Sequence, residues 1–162
     1  METQIFKILE QQSQSSAGIS NISFLLGKHN DNKDLWLFYE LGGQCLGKQM
    51  FEVKGEFFKG ERIYGIQKQP FFLAVKQNLD HLRVVIRKLA EAFDVLQKAQ
   101  IVHADIKPDN ILIDFDHQTQ KVKEVKLIDF GSSFMYNNPT GLSVSTPEYL
   151  APEILDFLEN RQ

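Results

Sequence analysis

The chain has a single cysteine, Cys45, in 162 residues. No internal disulfide can form, so the fold must be held by packing rather than by cross-links. Such sparing use of cysteine fits a reducing compartment, and the expected location is intracellular, cytoplasmic or nuclear. The sequence also has no run of 18 apolar residues that would make a membrane-spanning helix, and its N-terminus lacks the charged-then-apolar pattern of a secretory signal. An excess of positive charge is missing too. Eighteen Lys and Arg stand against 21 Asp and Glu, for a formal net charge of -3, which leaves no footprint for nucleic acid and no polybasic stretch for an anionic membrane surface. Neither is an expected partner. What remains, 43% hydrophobic and 24% charged residues, is the make-up of an ordinary soluble domain able to bury one core.

Local patterns give a mixed reading. Residues 2–12 carry Ile5, Phe6, Ile8 and Leu9 at helical spacing, and the serine-rich stretch 13–18 ends that helix. Apolar runs 22–26 and 35–41 flank the polar turn 28–34 and predict a hairpin. Residues 43–77 mix glycine, lysine and aromatics without a clear period and read as irregular. From Leu79 onward, Leu82, Ile86, Leu89, Phe93 and Leu96 recur by alternating steps of four and three, an amphipathic helix with Asn78 as its cap. Runs 111–115 and 125–128 then predict a second hairpin. Helices and hairpins in this order make the expected class α+β.

Three short blocks carry the chemistry. They are His103-Ala104-Asp105-Ile106-Lys107-Pro108-Asp109-Asn110, then Asp129-Phe130-Gly131, then the run from Thr146 through Ala151-Pro152-Glu153. Taken singly each is weak: a histidine before a strand is usually a core residue, and Leu112-Ile113-Asp114-Phe115-Asp116 nearly duplicates Leu127-Ile128-Asp129-Phe130-Gly131. Only the second copy has the glycine, so Asp114 reads as a solvated strand end and the repetition as two paired strands of similar inward pattern. In this order, however, the blocks resemble the catalytic loop, metal-binding turn and activation-segment end of a eukaryotic protein kinase of the serine/threonine type.

The resemblance implies phosphoryl transfer from ATP, with Mg2+, to a hydroxyl of a protein substrate. Asp105 would be the base, Lys107 would reach the transferred phosphate, and Asn110 and Asp129 would be the metal ligands, one a neutral oxygen and one charged. Leu37 to Leu41 is similar to the hinge strand, with Tyr39 at the gatekeeper position, so the nucleotide would lie against backbone of Glu40, Leu41 and Gly42 and above Leu112. Phe130 would set the position of the metal-binding turn. Glu2 is similar to the glutamate that pairs with a strand lysine, although an exposed helix-start carboxylate is its plain alternative.

Departures from the pattern shape the expectation. A glycine-rich lid and strand lysine, which in the family lie upstream, are not in these 162 residues, and the expected fold is an incomplete kinase domain. It comprises an N-lobe remnant and hinge over 1–42, an irregular insertion over 43–78 and the first half of the helical C-lobe over 79–162. The isolated chain is expected to be inactive and poorly stable, with Phe6, Phe24 and the helix 79–96 presenting apolar faces to solvent. Ala104 replaces the arginine that clamps a phosphorylated activation loop, so Ser143 and Ser145 are expected to matter little to rate. With Ile106 and Asp109, Ala104 resembles the splicing-kinase and dual-specificity branch, yet Tyr149-Leu150-Ala151 lacks that branch's arginine. The alternatives are a catalytically silent kinase-like module that binds nucleotide or protein and, less well supported, a metal-dependent phosphohydrolase on His103, Asp105 and Asp129. Oligomeric state is not read from the sequence.

Overall fold

The computed structural model describes residues 2–12, 17–138 and 146–160. Its helices and short antiparallel sheets make the fold α+β, as the pattern of elements predicts. Helix α1 spans Glu2–Gln12 and buries Ile5, Phe6 and Leu9 on one stripe. A 3-10 turn, Ala17–Asn21, follows. It sits so tightly on the helix α4 (Asp80–Lys98) that a Cβ on Gly18 would lie 2.0 Å from the Glu91 carbonyl oxygen, and Asn21 donates to the Glu91 carboxylate at 2.9 Å.

The first hairpin pairs β1 (Leu25–Asn30) with β2 (Leu35–Tyr39). It starts three residues later than the apolar run suggests. The reason is competition for hydrogen bonds: Ile22 bridges Leu127 in parallel, and the Ser23 N–H donates to the Leu127 carbonyl at 3.0 Å, so residues 22 and 23 are drawn to another sheet. That sheet is the frame of the molecule, with strands in the order β3 (Gln44–Cys45), β7 (Ile111–Asp116), β8 (Lys121–Leu127). Ile111, Ile113 and Phe115 alternate inward from β7 and meet Val125 and Leu127 of β8 in the core with α1 and α4. The opposite face of the same strands carries Leu112 and its cross-strand partner Lys126. Asp116 closes the turn between them, accepting from the backbone N–H groups of Gln118 and Thr119 and pairing with Lys123 at 3.0 Å.

Residues 43–78 are not irregular. After β3 come the one-turn helix α2 (Leu46–Met50), an eight-by-eight-residue hairpin of β4 (Phe51–Phe58) and β5 (Glu61–Lys68), and helix α3 (Pro70–Gln77). Strand alternation is present there, but charges and glycines interleave on both strands, which hides the period. The Lys59-Gly60 pair forms the turn, with both residues at positive φ.

Helix α4 obeys its periodicity, and the Asn78 Oδ1 accepts the Asp80 N–H at 2.9 Å as a cap should. Its buried stripe is Val85, Ala92, Val95 and Leu96, offset from the anticipated one. Leu79, Leu82, Ile86 and Phe93 stay exposed, as expected for the helix. Phe6 corrects that expectation: it is 2% exposed, its ring set edge-on to Phe130 at 5.3 Å and tilted against Phe24 and Tyr39 at 6.0 Å. Beyond α4, β6 (Ile101–Val102) pairs with β9 (Phe134–Met135), and α5 (Pro152–Glu159) closes the described chain.

The approach of residues 42 and 43 to β7 ties the segment after β2 to the sheet. A Cβ on Gly43 would fall 2.0 Å from the Ile113 carbonyl oxygen, and one on Gly42 would fall 2.5 Å from Leu112. Because the first obstacle is backbone, Gly43→Ala is expected to part β3 from β7 and to cost about 1–3 kcal/mol, read as a fall in Tm of roughly 2–4 °C per kcal/mol for a chain of this size. An unchanged Tm would mean the contact yields freely.

Candidate active site

The loop between β6 and β7 is built on His103. Its Nδ1 accepts the Asp105 N–H at 3.3 Å, which puts the ring proton on Nε2, where it donates to the Ile128 carbonyl at 2.9 Å. The ring lies tilted against Phe130, centroids 4.8 Å apart, and the Ser133 hydroxyl donates to the His103 carbonyl at 3.0 Å. One buried imidazole therefore fastens the 103–110 loop to the segment that carries Asp129. Ala104 and Asp129 both take the left-handed conformation, with φ of 67° and 63°, which costs about 1–2 kcal/mol for a residue with a Cβ and is offset by this web of bonds.

Asp105 is buried, its side chain 8% exposed. It receives Lys107 Nζ at 2.8 Å and Asn110 Nδ2 at 2.9 Å on Oδ2, and the Thr146 hydroxyl at 3.2 Å on Oδ1. Burial alone would push its carboxyl up, but the hydrogen bonds from Lys107, Asn110 and Thr146 and the Lys107 charge outweigh it and hold Asp105 below the usual aspartate range. The same bond, aided by the charge of Asp105, raises Lys107. Lys107 also donates to the Thr146 hydroxyl at 2.9 Å, so that hydroxyl lies between a carboxylate and an ammonium. Asn110 Nδ2 also donates to the Asp105 carbonyl at 2.8 Å. Both amide hydrogens are thus spent on Asp105, and the amide oxygen is what Asn110 retains for a cation.

A cavity of about 360 Å³ opens beside this loop, lined by Glu2, Tyr39, Glu40, Leu112, Ile128 and Asp129, with Ser23 at its inner wall. Leu112 supplies an apolar floor. Asp129 is exposed there, with Oδ1 accepting the Gly131 N–H at 3.2 Å. Glu40 accepts Lys126 Nζ at 2.6 Å, so the segment after β2 is pinned to β8. The Tyr39 hydroxyl donates to Glu2, and burial together with that carboxylate raises the phenol above its ordinary range. A larger hollow of about 610 Å³ also borders this loop, lined by His103, Ala104 and Ile106 together with Phe93 and Tyr136 among others, but includes neither Asp105 nor Asp129.

The structure thus brings Asp105, Lys107 and Asn110 into one hydrogen-bonded cluster and places Glu40, Leu112 and Asp129 on one cavity. Gly42 packs on Leu112, whereas Leu41 is 98% exposed, and neither of the two lines the cavity. Asp114 sits inside β7 opposite Glu124, off the cavity, and pairs no segment with the site. Ser143 and Ser145 lie outside the described residues. Thr146 stands at the head of the third sequence block but was given no role there, and Ser133 and Ser23 carry no sequence signal of their own; only contact reveals all three.

The donor set can be tested against a nucleotide with magnesium. Among the described residues no group of three or more His, Cys, Asp or Glu could hold a metal by itself. One carboxylate and one amide oxygen suit magnesium, which keeps water and phosphate oxygens in its shell. The Ser23 Oγ is buried at the cavity wall with no hydrogen-bond partner among the described residues, an orphan that a polar ligand would satisfy. The residues fit the group.

Burial is also the largest influence on His103, which it holds below the usual histidine range against the pull of the Ile128 carbonyl and nearby carboxylates. The unfolded chain then binds the proton more tightly than the folded one, so stability is full above the unfolded value of about 6.5 and is lost as pH falls below it. Urea unfolding between pH 8 and pH 5 should show this slope, and His103→Gln should flatten it whatever its effect on total stability.

The protein kinase domain family model matches residues 6–162. A serine/threonine-protein kinase of Drosophila melanogaster is 44% identical over 73 residues, 45% of this chain and 10% of that protein. A serine/threonine-protein kinase of Drosophila persimilis is 42% identical over 73 residues, again 45% of the chain and 10% of the relative. An Aurora kinase of Saccharomyces cerevisiae is 30% identical over 152 residues, 93% of the chain and 34% of that protein. The chain accordingly spans about a tenth of the length of the fly relatives and about a third of the yeast one. With the match running from α1 through the loop of Asp105 and past Asp129, the chain belongs to the protein kinase domain family.

Proposed function

We propose that the chain is the catalytic part of a serine/threonine kinase that moves the γ-phosphoryl group of ATP to a protein hydroxyl. The observation that carries this reading is the Thr146 hydroxyl, held at 3.2 Å from Asp105 Oδ1 and 2.9 Å from Lys107 Nζ. That is the arrangement an acceptor hydroxyl needs, a carboxylate to take its proton and a cation beside the oxygen that gains the phosphate. Asp105 stays ionised through its three donors, Lys107 offsets charge on the incoming phosphoryl oxygens, and Asn110 keeps both in register. Asp129 and Asn110 would hold magnesium, and Leu112, Ser23 and the backbone of Glu40, Leu41 and Gly42 would hold the base and sugar end. When bound, magnesium and ATP supply the transferable group and the cation that neutralises its oxygens.

Lys107, two residues after Asp105, supports a serine or threonine acceptor rather than tyrosine, and Ala104, Ile106 and Asp109 support a place near the splicing-kinase and dual-specificity branch. The division into hinge-bearing residues 1–42, insertion 43–78 and C-lobe 79–162 belongs to the same reading. The alternative is a catalytically silent kinase-like module. A silent module would bind nucleotide without transferring phosphate. No helix among the described residues is long and apolar enough to cross a membrane.

The two carboxylates should differ in kind. Asp129→Asn is expected to weaken binding of ATP with magnesium by about tenfold or more, measured by calorimetry, whereas Asp105→Asn should leave it within about twofold. Where this chain is joined to a glycine-rich lid and strand lysine, both should cut transfer to a basic protein substrate by about a hundredfold or more. Equal nucleotide affinity in the two variants would overturn the roles, and unimpaired transfer by Asp105→Asn would overturn the reaction.

A further inference from the structure

All sixteen residues of β4 and β5 are exposed, and the two strands form a sheet of their own with both outer edges unpaired. A two-stranded ribbon is marginal by itself and normally rests one face on something. Strand pairing sorts its side chains into two unlike faces. On one face Val53 stands opposite Ile66, Gly55 opposite Tyr64 and Phe57 opposite Arg62, with Phe51 opposite Lys68 at the base. Val53, Phe57, Tyr64 and Ile66 are 65%, 78%, 62% and 72% exposed, a contiguous apolar surface of the kind that marks an interaction site. The acidic residues Glu52, Glu56 and Glu61 all lie on the other face, where Lys54 pairs with Glu52 at 3.5 Å.

The charges are therefore divided, and only cations accompany the apolar face. The Arg62 guanidinium lies over Tyr64 at 5.3 Å and Phe57 at 6.0 Å, and Lys68 Nζ lies 5.8 Å from the Phe72 ring. Among the described residues neither cation is paired with a carboxylate. The side chain of Arg62 also covers Gly55, whose missing Cβ leaves the groove it occupies. Arg62 and Lys68 are six residues apart on one strand, about 20 Å at 3.3 Å per residue. A second copy of this chain is a poor occupant, because stacking this face on itself sets cation against cation.

We propose that this face docks an extended segment of a partner protein with the pattern acid, x, apolar, x, apolar, x, acid. Alternate side chains of such a segment point one way. Its two carboxylates reach Arg62 and Lys68 while the apolar pair covers Val53, Tyr64 and Ile66. Burial supplies the attraction, and the spacing of the two charges supplies register and specificity. The inference stands apart from the catalytic reading, since binding is its readout.

The test uses the 162-residue chain and a fluorescein-labelled peptide with glutamate, threonine, leucine, threonine, valine, threonine and glutamate in that order. Fluorescence anisotropy should show saturable binding that weakens in about 0.5 M salt. Arg62→Glu should weaken it by about tenfold or more, while Glu56→Arg on the opposite face should leave it within about twofold. A peptide with lysine in place of both glutamates should not bind the wild-type chain but should bind Arg62→Glu with Lys68→Glu. Far-UV circular dichroism of each variant confirms that the hairpin persists. Absence of binding, binding indifferent to Arg62→Glu, or a dimer in sedimentation that Ile66→Glu dissolves would each overturn the proposal.

Discussion

A carboxylate shielded from water must find donors or lose its charge, and Asp105 is the point where this constraint organises the molecule. Its three donors come from two places: Lys107 and Asn110 from its own loop and Thr146 from about 40 residues along the chain. The loop in turn hangs on His103, whose two ring nitrogens are both committed to backbone, one to Asp105 and one to Ile128. Satisfying one buried charge thus fixes the relative positions of segments roughly 40 residues apart. Under the proposed reading Asp105, Lys107 and Asn110 would also serve phosphoryl transfer, so stability and function would draw on the same bonds rather than compete for them.

The β7–β8 pair carries that local order to the cavity beside the loop. Period-two alternation sends Ile111, Ile113 and Phe115 into the core and leaves Leu112 on the other side, beside Lys126. Leu112 floors the cavity, and Lys126 holds Glu40 down over it at 2.6 Å. A slip of one residue in this register would exchange core and cavity faces at once, which is why close packing of Gly42 and Gly43 against Leu112 and Ile113 matters.

The hairpin of β4 and β5 shows the opposite regime. It contributes no residue to the buried core, and its order rests on strand pairing, a tight turn at positive φ and cation-ring contacts. Its surface is consequently free to vary without disturbing the site, and its sorted charges gain meaning only against something outside the chain.

Much of this was legible in residue order. The helix over 2–12, the long helix after Asn78, the hairpin at 111–127 and the α+β class follow from periodicity, because a face that must be buried repeats at the period of its element. The loop from His103 to Asn110 and the Asp129-Phe130-Gly131 turn identify the family, because transfer of a phosphoryl group needs those side chains at short spacing. Tertiary structure alone decided the rest. Residues 43–78 look irregular because charges on both strands mask alternation, and their hairpin emerges only from pairing across a turn. Phe6 faces the core because Phe130, far along the chain, meets it there. Likewise Thr146, Ser133 and Ser23 are ordinary hydroxyls in sequence, and become a bridge, a latch and an orphan only once folding sets distant atoms within about 3 Å of them, or leaves them without a partner.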